Sequence, residues 1–537
     1  MRFLPVNLNV LLVELADLEQ TLALLHALQA EPLPGVVELV PAARTVLVNF
    51  RPSVIGRAAL ERRIAALDLN RRVVRDTTLI EIPVRYDGED LDDVAQHLGL
   101  TRREVVQRHT ASLFSVAFCG FAPGFAYLAG GDPVFDVPRR RSPRTKVPAG
   151  SVALGGAFSG VYPKASPGGW QIIGITELPM WDLSRPVPAL LQPGFQVRFV
   201  EREERVFMPP PAVAPAPVSA PVEPLPGGGT ALLLRRPGLQ ALFQDKGRSG
   251  QVAQGVSASG AMDQGALREA NRLVGNDSGA ACIELVAYGG FEVQSQGDTV
   301  VAITGADVPA TLHAPDGRSW PVASHAPLAL GDGDRLHLGA PRCGVRAYLA
   351  VRGGFDVAPV LGSCATDTLA FIGPSPLAAG DRLAVRALTA AAVVGAPAAS
   401  APDLPLVDET VVLDVVMGPR TDWFTPEGVE RLFSQAWQVT PQSNRVGLRL
   451  QGEAPLLRAV HGELPSEGTA LGALQVPPSG QPVLFMADHP LTGGYPVIAT
   501  VATYHLDRAG QIPVHARVRF NPVSAFDPVE VSALSLS

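Results

Sequence analysis

From Met208 to Gly229 the chain reads MPPPAVAPAPVSAPVEPLPGGG, a run that neither a helix nor a central strand accepts. Proline fixes φ and donates no amide hydrogen, so the run predicts a stiff, polyproline-like arm ending in three permissive glycines. Whatever precedes 208–229 must therefore fold apart from whatever follows. A second Ala/Pro-rich stretch, from Leu388 to Leu406, marks a shorter linker at 388–404 and divides the later part into 230–387 and 405–537. The chain has 537 residues, enough for each block to bury its own core.

Within the first block, residues 1–80 show strand-like LNVLLVEL, a helical stretch from Asp17 to Gln29, strand-like GVVELV and RTVLVNF, and a second helical stretch from Val54 to Leu67. This order predicts a small α/β domain of split βαβ type. EDLDDVAQHLGLTRREVVQRHT then reads as two short helices about Gly99. Glu89, Asp90, Asp92 and Asp93 on the first of them argue against a DNA-binding helix-turn-helix. Beyond Ser112, short apolar alternations between Gly/Pro turns predict a barrel over 81–207. The 53 Gly and 50 Pro extend that expectation, so the fold class is mainly β with an α/β N-terminal part. PAGSVALGG (148–156) echoes PSEGTALGA (465–473), and each is followed by a strand ending in Val-Arg-Phe, QVRFV from Gln196 and RVRF from Arg517. Both halves are thus expected to end in the same kind of barrel.

A net charge of -7 gives no global attraction to nucleic acid or to an anionic membrane. No apolar run reaches the roughly 20 residues of a membrane helix, and the N-terminus has no cleavage site, so a cytoplasmic protein is expected. Cys119, Cys282, Cys343 and Cys364 are too scattered for a zinc site and read as buried thiols. There is no phosphate loop, no dinucleotide fingerprint, no H-E-x-x-H and no nucleophile elbow. No methionine adjoins a lysine, so no biotin is attached in cis. His109, a lone histidine, is expected to serve packing.

What remains is a set of Gly/Pro/aromatic loops. The longest, FCGFAPGFAYLAGGDPVFDVPRRRSPRTKVPAGSVALGG, begins at Phe118 and carries Arg139, Arg140, Arg141, Arg144 and Lys146. Others are GVYPKASPGGW, QDKGRSG, GVSASGAMD, SNRVGLRLQG and TGGYP. Such loops make rigid anion cradles. Arg144, Lys146, Arg248 and Arg445 offer charge for a carboxylate or phosphate. Asp245, Asp263, Glu467 and Asp488 offer carboxylates for proton transfer or metal coordination. Arg139 and Arg140, in a run of like charges, are expected to be solvated.

These same strings, FCGFAPGFAYL with SPRTKVPAGSVALGG and GVYPKASPGGWQIIG, closely resemble the first of two modules once called allophanate hydrolase subunits 1 and 2. FQDKGRSGQVAQGVSASGAMDQGALREANRLVGN, GVRAYLAVRGGF, SNRVGLRLQG, QVPPSGQPV and TGGYP resemble the second. The arrangement looks like a fusion of the B and C subunits of 5-oxoprolinase. Related modules are known as a sporulation-kinase inhibitor and its antagonist, and as the carboxyltransferase part of urea carboxylase. The resemblance implies cyclophilin-like β-barrels in both modules and an ATP-dependent hydrolase opening 5-oxoproline to glutamate. It also implies a separate 5-oxoprolinase A-type partner of the LamB/YcsF kind, with ATP, accompanied by Mg2+, as the cofactor. On that resemblance Arg144, Lys146, Arg248 and Arg445 are assigned to substrate or phosphate, with the amides of Gly168, Gly169, Gly493 and Gly494 as further donors. Asp245 or Glu467 is assigned to proton transfer, Tyr162 and Tyr495 to orienting the substrate, and no residue to a metal. A carboxyltransferase working with biotin on a separate carrier, and a regulator binding a histidine kinase, are the alternatives. A homo-oligomer is compatible with all three. The sequence departs from the family pattern at Gly380–Leu383, which lacks a preceding Gly-Arg step, at Pro513–Val514, and at Lys146, where Arg is common.

Overall fold

In the computed structural model of the chain the described residues are 1–69, 78–140, 142–202, 229–286, 289–387, 393–399 and 404–531. Apart from Gly229, the linker at 208–229 lies outside them, as does Arg141. In the stretch read as a second linker, Gly395 and Ala398 donate backbone hydrogen bonds to Leu273 O and His325 O.

The N-terminal domain is a five-stranded antiparallel sheet with helices Leu18–Ala30 and Arg57–Ala65. Asp17 caps the first helix by accepting from Gln20 N at 2.9 Å. One face of the sheet, with Phe3, Leu11, Val13, Val46 and Val48, packs against those helices. The other, with Leu4, Val6, Leu12 and Leu47, packs on Ala470 and Leu491 of the C-terminal block. Cover on both faces explains why VLLVE and TVLV read as continuous apolar runs instead of alternating. The fifth strand of this sheet is Val529–Glu530, which pairs with Arg2 and Phe3.

The helix pair forms as read. Leu91–Leu98 ends at Gly99 with φ +66°, and Arg102–Ala111 starts with a Thr101/Glu104 capping box. His109 is buried in this core between Tyr86 and Ser159, stacked on Phe199, and burial pushes its pKa down to about 3. Packing is its role.

The two barrels share one strand order. In the first, Leu79–Val84 runs parallel to Gln196–Glu201. Strands Phe114–Cys119, Ala126–Ala129, Phe158–Val161, Ser151–Gly155 and Gln171–Ile175 follow, and an Arg85–Ile175 bridge returns to the start. In the second, Thr410–Met417 runs parallel to Arg517–Ser524. Trp437–Val439, Gly447–Gln451, Val483–Phe485, Ala473–Gln475 and Val497–Val501 close the ring. Each barrel adds a short ribbon, Arg144–Val147 with Ser166–Gly168 and Glu467–Gly468 with Thr492–Gly493. The Val-Arg-Phe strands are equivalent. The echoed nonapeptides are not in register: Pro148 follows its ribbon strand, whereas Pro465 precedes its own. Gly150 and Gly472, both at positive φ just before the equivalent strands, mark the true correspondence.

Between the barrels, residues 231–384 form a six-stranded and a five-stranded sheet around Leu234, Ile283, Val293, Ile303 and Leu349, with helix Gln264–Val274 alongside. The thiols are unpaired; Cys119 and Cys282 are buried, Cys343 and Cys364 half-buried. Among the described residues no helix is long and apolar enough to cross a membrane.

The modules are interleaved. Besides the Val529–Glu530 strand, Asn7 Nδ2 donates to Val501 O at 2.9 Å, and Arg420 pairs with Glu14 at 2.8 Å. Limited proteolysis should cut first within 208–229. The two fragments should then elute together in size-exclusion chromatography without denaturant; separate elution would show these contacts to be weak.

Candidate functional site at the junction of the modules

The long loop of the first barrel meets the second module edge on. Phe121, in the left-handed region at φ +65°, donates its amide to Thr492 Oγ1 at 2.9 Å, and a Cβ on Gly120 would lie 2.5 Å from that hydroxyl. Gly124, at φ +76°, donates its amide to Gln254 O. Strain held at such a contact is typical of functional loops. Tyr127 Oη lies 3.2 Å from Ser466 Oγ.

Arg139 and Arg140 are half-buried and engaged instead of solvated, contrary to the charge-run expectation. Arg139 Nη2 donates to Ser466 Oγ at 3.3 Å, and its Nη1 lies 2.8 Å from where Gly494 would carry a Cβ. Arg140 N donates to Gly169 O at 2.7 Å, and its side chain pairs with Asp90 at 2.7 Å. The run thus touches both glycine turns, 168–169 and 493–494. Arg144 also pairs with Asp90, at 2.7 Å, and with Glu89, at 3.2 Å. Arg140 Nε and Arg144 Nη1 are buried without partners. Lys146 is exposed.

In the second module one guanidinium gathers the loops. Arg445, 2% exposed, donates to both oxygens of Asp488 (3.0 and 2.9 Å), to Glu284 and to Gly260 O. Asp488 also accepts from Ser259 Oγ and from Thr368 N and Oγ1. Burial raises its pKa, but Arg445 outweighs that and holds it below the usual range. Arg445 and Asp488 are saturated by each other and their neighbours.

Arg248 is different. It is 2% exposed, Nη2 donates to Ala365 O, and Nε and Nη1 have no partner. Burial lowers its pKa, opposed by Asp367, Asp245 and Asp488. Asp367, 1% exposed, accepts from Leu369 N (2.9 Å) and Ala370 N (2.8 Å) at Oδ1, while Oδ2 has no partner. Burial, then Asp488, pushes its pKa up from 3.8 to about 6, a value suited to proton transfer. From the first barrel, Lys164 Nζ donates to Leu369 O and sits 4.3 Å over the Phe371 ring. Asp367 lay in no quoted motif; only its place among Thr, Cys and Gly turns in CATDTLAFIG could have drawn notice.

The other predicted residues serve other ends. Asp245 holds a turn, accepting from Gly247 N, Ser363 Oγ and Cys364 N. Both oxygens of Glu467 face Arg420; burial raises its pKa against that pull. Asp263 caps helix Gln264–Val274 and accepts from Gln511. Tyr162 is buried under Gly168 among Phe121 and Phe125, its phenol pushed up to about 12 by burial. Tyr495 is 37% exposed beside Arg458.

A model of carboxyltransferase domain, subdomain C and D, matches residues 1–191, and one of subdomain A and B matches 254–522. The 5-oxoprolinase B subunit of Escherichia coli O157:H7 is 43% identical over 178 residues, 32% of this chain and 82% of the relative. The 5-oxoprolinase C subunit of Escherichia coli K12 is 37% identical over 295 residues, 54% of this chain and 90% of the relative. The crystal structure of TTHA0988, 36% identical, superposes with a TM-score of 0.80 over 95% of this chain and 99% of its own.

The two kinds of buried charge predict opposite responses. Arg445→Ala strands two buried carboxylates and should cost ~3–5 kcal/mol. Asp367 has a folded pKa above its ordinary value, so its contribution to stability is full below pH ~4 and is lost as pH rises through ~6. Asp367→Asn should therefore be more stable than wild type at pH 8, by ~1–3 kcal/mol, with the gain vanishing near pH 4. Denaturant melts at both pH values check this.

Proposed function

We propose, from the premise that the chain belongs to the carboxyltransferase-domain family, that it is the joined B and C component of a 5-oxoprolinase. It would open 5-oxoproline to glutamate with a separate A-type partner of the LamB/YcsF kind. The observation that carries this reading is the succession, in one polypeptide, of a module similar to the B subunit and a module similar to the C subunit, which meet at the junction described above. Hydrolysis breaks the ring C–N bond, adds water across it and moves one proton to nitrogen. The chain's own contribution would be to bind the small anionic ring and to hold a proton where the amide changes. Arg248 supplies unpaired donors, and Asp367 a carboxyl near half-protonation at pH 6.

ATP supplies the drive for an unfavourable ring opening. Arg140 and Arg144, each with a buried unpartnered nitrogen, and Arg139, beside the turn at Gly494, fit an anion such as its phosphates. No group of three or more His, Cys, Asp or Glu among the described residues is arranged to hold a metal, so Mg2+ would arrive on the nucleotide. A carboxyltransferase working with biotin on a separate carrier is the second reading, favoured by the family's own description.

The test is ATP hydrolysis by the purified chain together with a purified 5-oxoprolinase A-type partner. Hydrolysis should depend on 5-oxoproline and yield glutamate in step with phosphate. Arg248→Ala should lower it at least ~100-fold without lowering the melting temperature. An ATP turnover indifferent to 5-oxoproline would reject the reading.

A further inference from the structure

Two buried, oppositely charged side chains share one loop without pairing: Asp367 belongs to it, and Arg248 is tied to it through Ala365 O. Arg248 makes no ion pair within 4.0 Å among the described residues, although Asp367 is the foremost charge favouring its proton. Its Nη2 is tied to Ala365 O, two residues before Asp367, which fixes the guanidinium against the same loop. Left over are two donors, Nε and Nη1, and one acceptor, Asp367 Oδ2. The neighbours cannot absorb them: Asp245 and Asp488 are engaged as described, and Lys164 is committed to Leu369 O. Buried charges left in this way are costly unless something else completes them.

We infer that Arg248 and Asp367 form one recognition pair for the edge of a cis amide, the guanidinium donating to the ring carbonyl and Oδ2 accepting the ring N–H. The inference rests on the 5-oxoprolinase reading and names the group of the substrate this pair reads. A five-membered lactam holds its amide cis, so its N–H and C=O emerge on one edge, whereas an open-chain amide is almost always trans and presents them on opposite sides. The pair offers an acceptor and a donor fork held by one loop, the two kinds of group that a lactam edge calls for. Ring opening destroys it: nitrogen becomes an ammonium and the carbonyl a carboxylate on a flexible chain. The pair thus favours the closed ring over the product.

Asp367 and the Ala365 carbonyl that holds Arg248 both lie on one segment, 363–374. Leu361 and Phe371 hold left-handed φ of +53° and +58°, Gly373 has +96°, and Phe371 is 78% exposed with Lys164 over its ring. That is strained backbone at and beside the segment that carries Asp367.

The test is calorimetric titration of the full chain with 5-oxoproline and with its lactone analogue, in which ring oxygen replaces N–H. Wild type should bind the lactam at least ~10-fold more tightly, because the lactone sets an oxygen against Oδ2. Asp367→Asn retains Oδ1 for Leu369 N and Ala370 N and so places Nδ2–H where Oδ2 stood. That variant should lose the preference or reverse it towards the lactone, an outcome a merely structural Asp would not give. Equal binding by wild type, binding of neither, or an unchanged preference in Asp367→Asn overturns the inference. Each leaves the 5-oxoprolinase reading to be judged by 5-oxoproline-dependent ATP hydrolysis. Lactam preference in a chain without that turnover would keep the pair and reject the reading.

Discussion

The Arg445 guanidinium is the constraint on which the second module depends. A charge this deeply buried survives only if its donors are met, and here they are met from both parts of the second module: Asp488 from the C-terminal barrel, Glu284 and Gly260 O from the sheets before it. Glu284 in turn accepts from Met262 N and Tyr348 Oη, while Asp488 fastens Ser259 and Thr368. One side chain therefore sets the relative position of three loops. Arg248 and Asp367 take their places within that frame.

The paired barrels carry the same ribbon with inverted charge. Gly168 faces Arg144 in one ribbon and Gly493 faces Glu467 in the other. Arg144 is met by Asp90 at the start of helix Leu91–Leu98, leaving one nitrogen spare. Glu467 is met by Arg420, which reaches on to Glu14 of the N-terminal domain. Equivalent positions thus serve two ends: the first ribbon keeps cationic donors beside the glycine turns, and the second locks a domain in place.

Features set by local chemistry were legible in the sequence: the helix pair about Gly99, the Val-Arg-Phe strands, the packing role of His109, and the mainly β class with barrel-like sheets in two modules. Features set by remote partners were not. Asp488 meets Ser259 across 229 residues and Thr368 across 120, and the strand Val529–Glu530 joins a sheet at the opposite end of the chain. The echoed nonapeptides misled because Ala-Leu-Gly is common here, whereas the positive φ of Gly150 and Gly472 leaves no trace beyond a glycine. Residue type showed which side chains carry charge, and nothing about which are already neutralised.

Saturation is what divides them. Asp245, Glu467, Arg445 and Asp488, all reasonable candidates by type, hold the loops together because their hydrogen-bonding capacity is spent within the chain. Arg248 and Asp367 have capacity to spare, and folding bears the cost of keeping them dry and unpaired. Such a cost persists where a ligand completes the network. The segment that carries Asp367 belongs to the second module, but Lys164 of the first fastens it through Leu369 O. The setting of the unpaired charges therefore depends on how the two modules sit together.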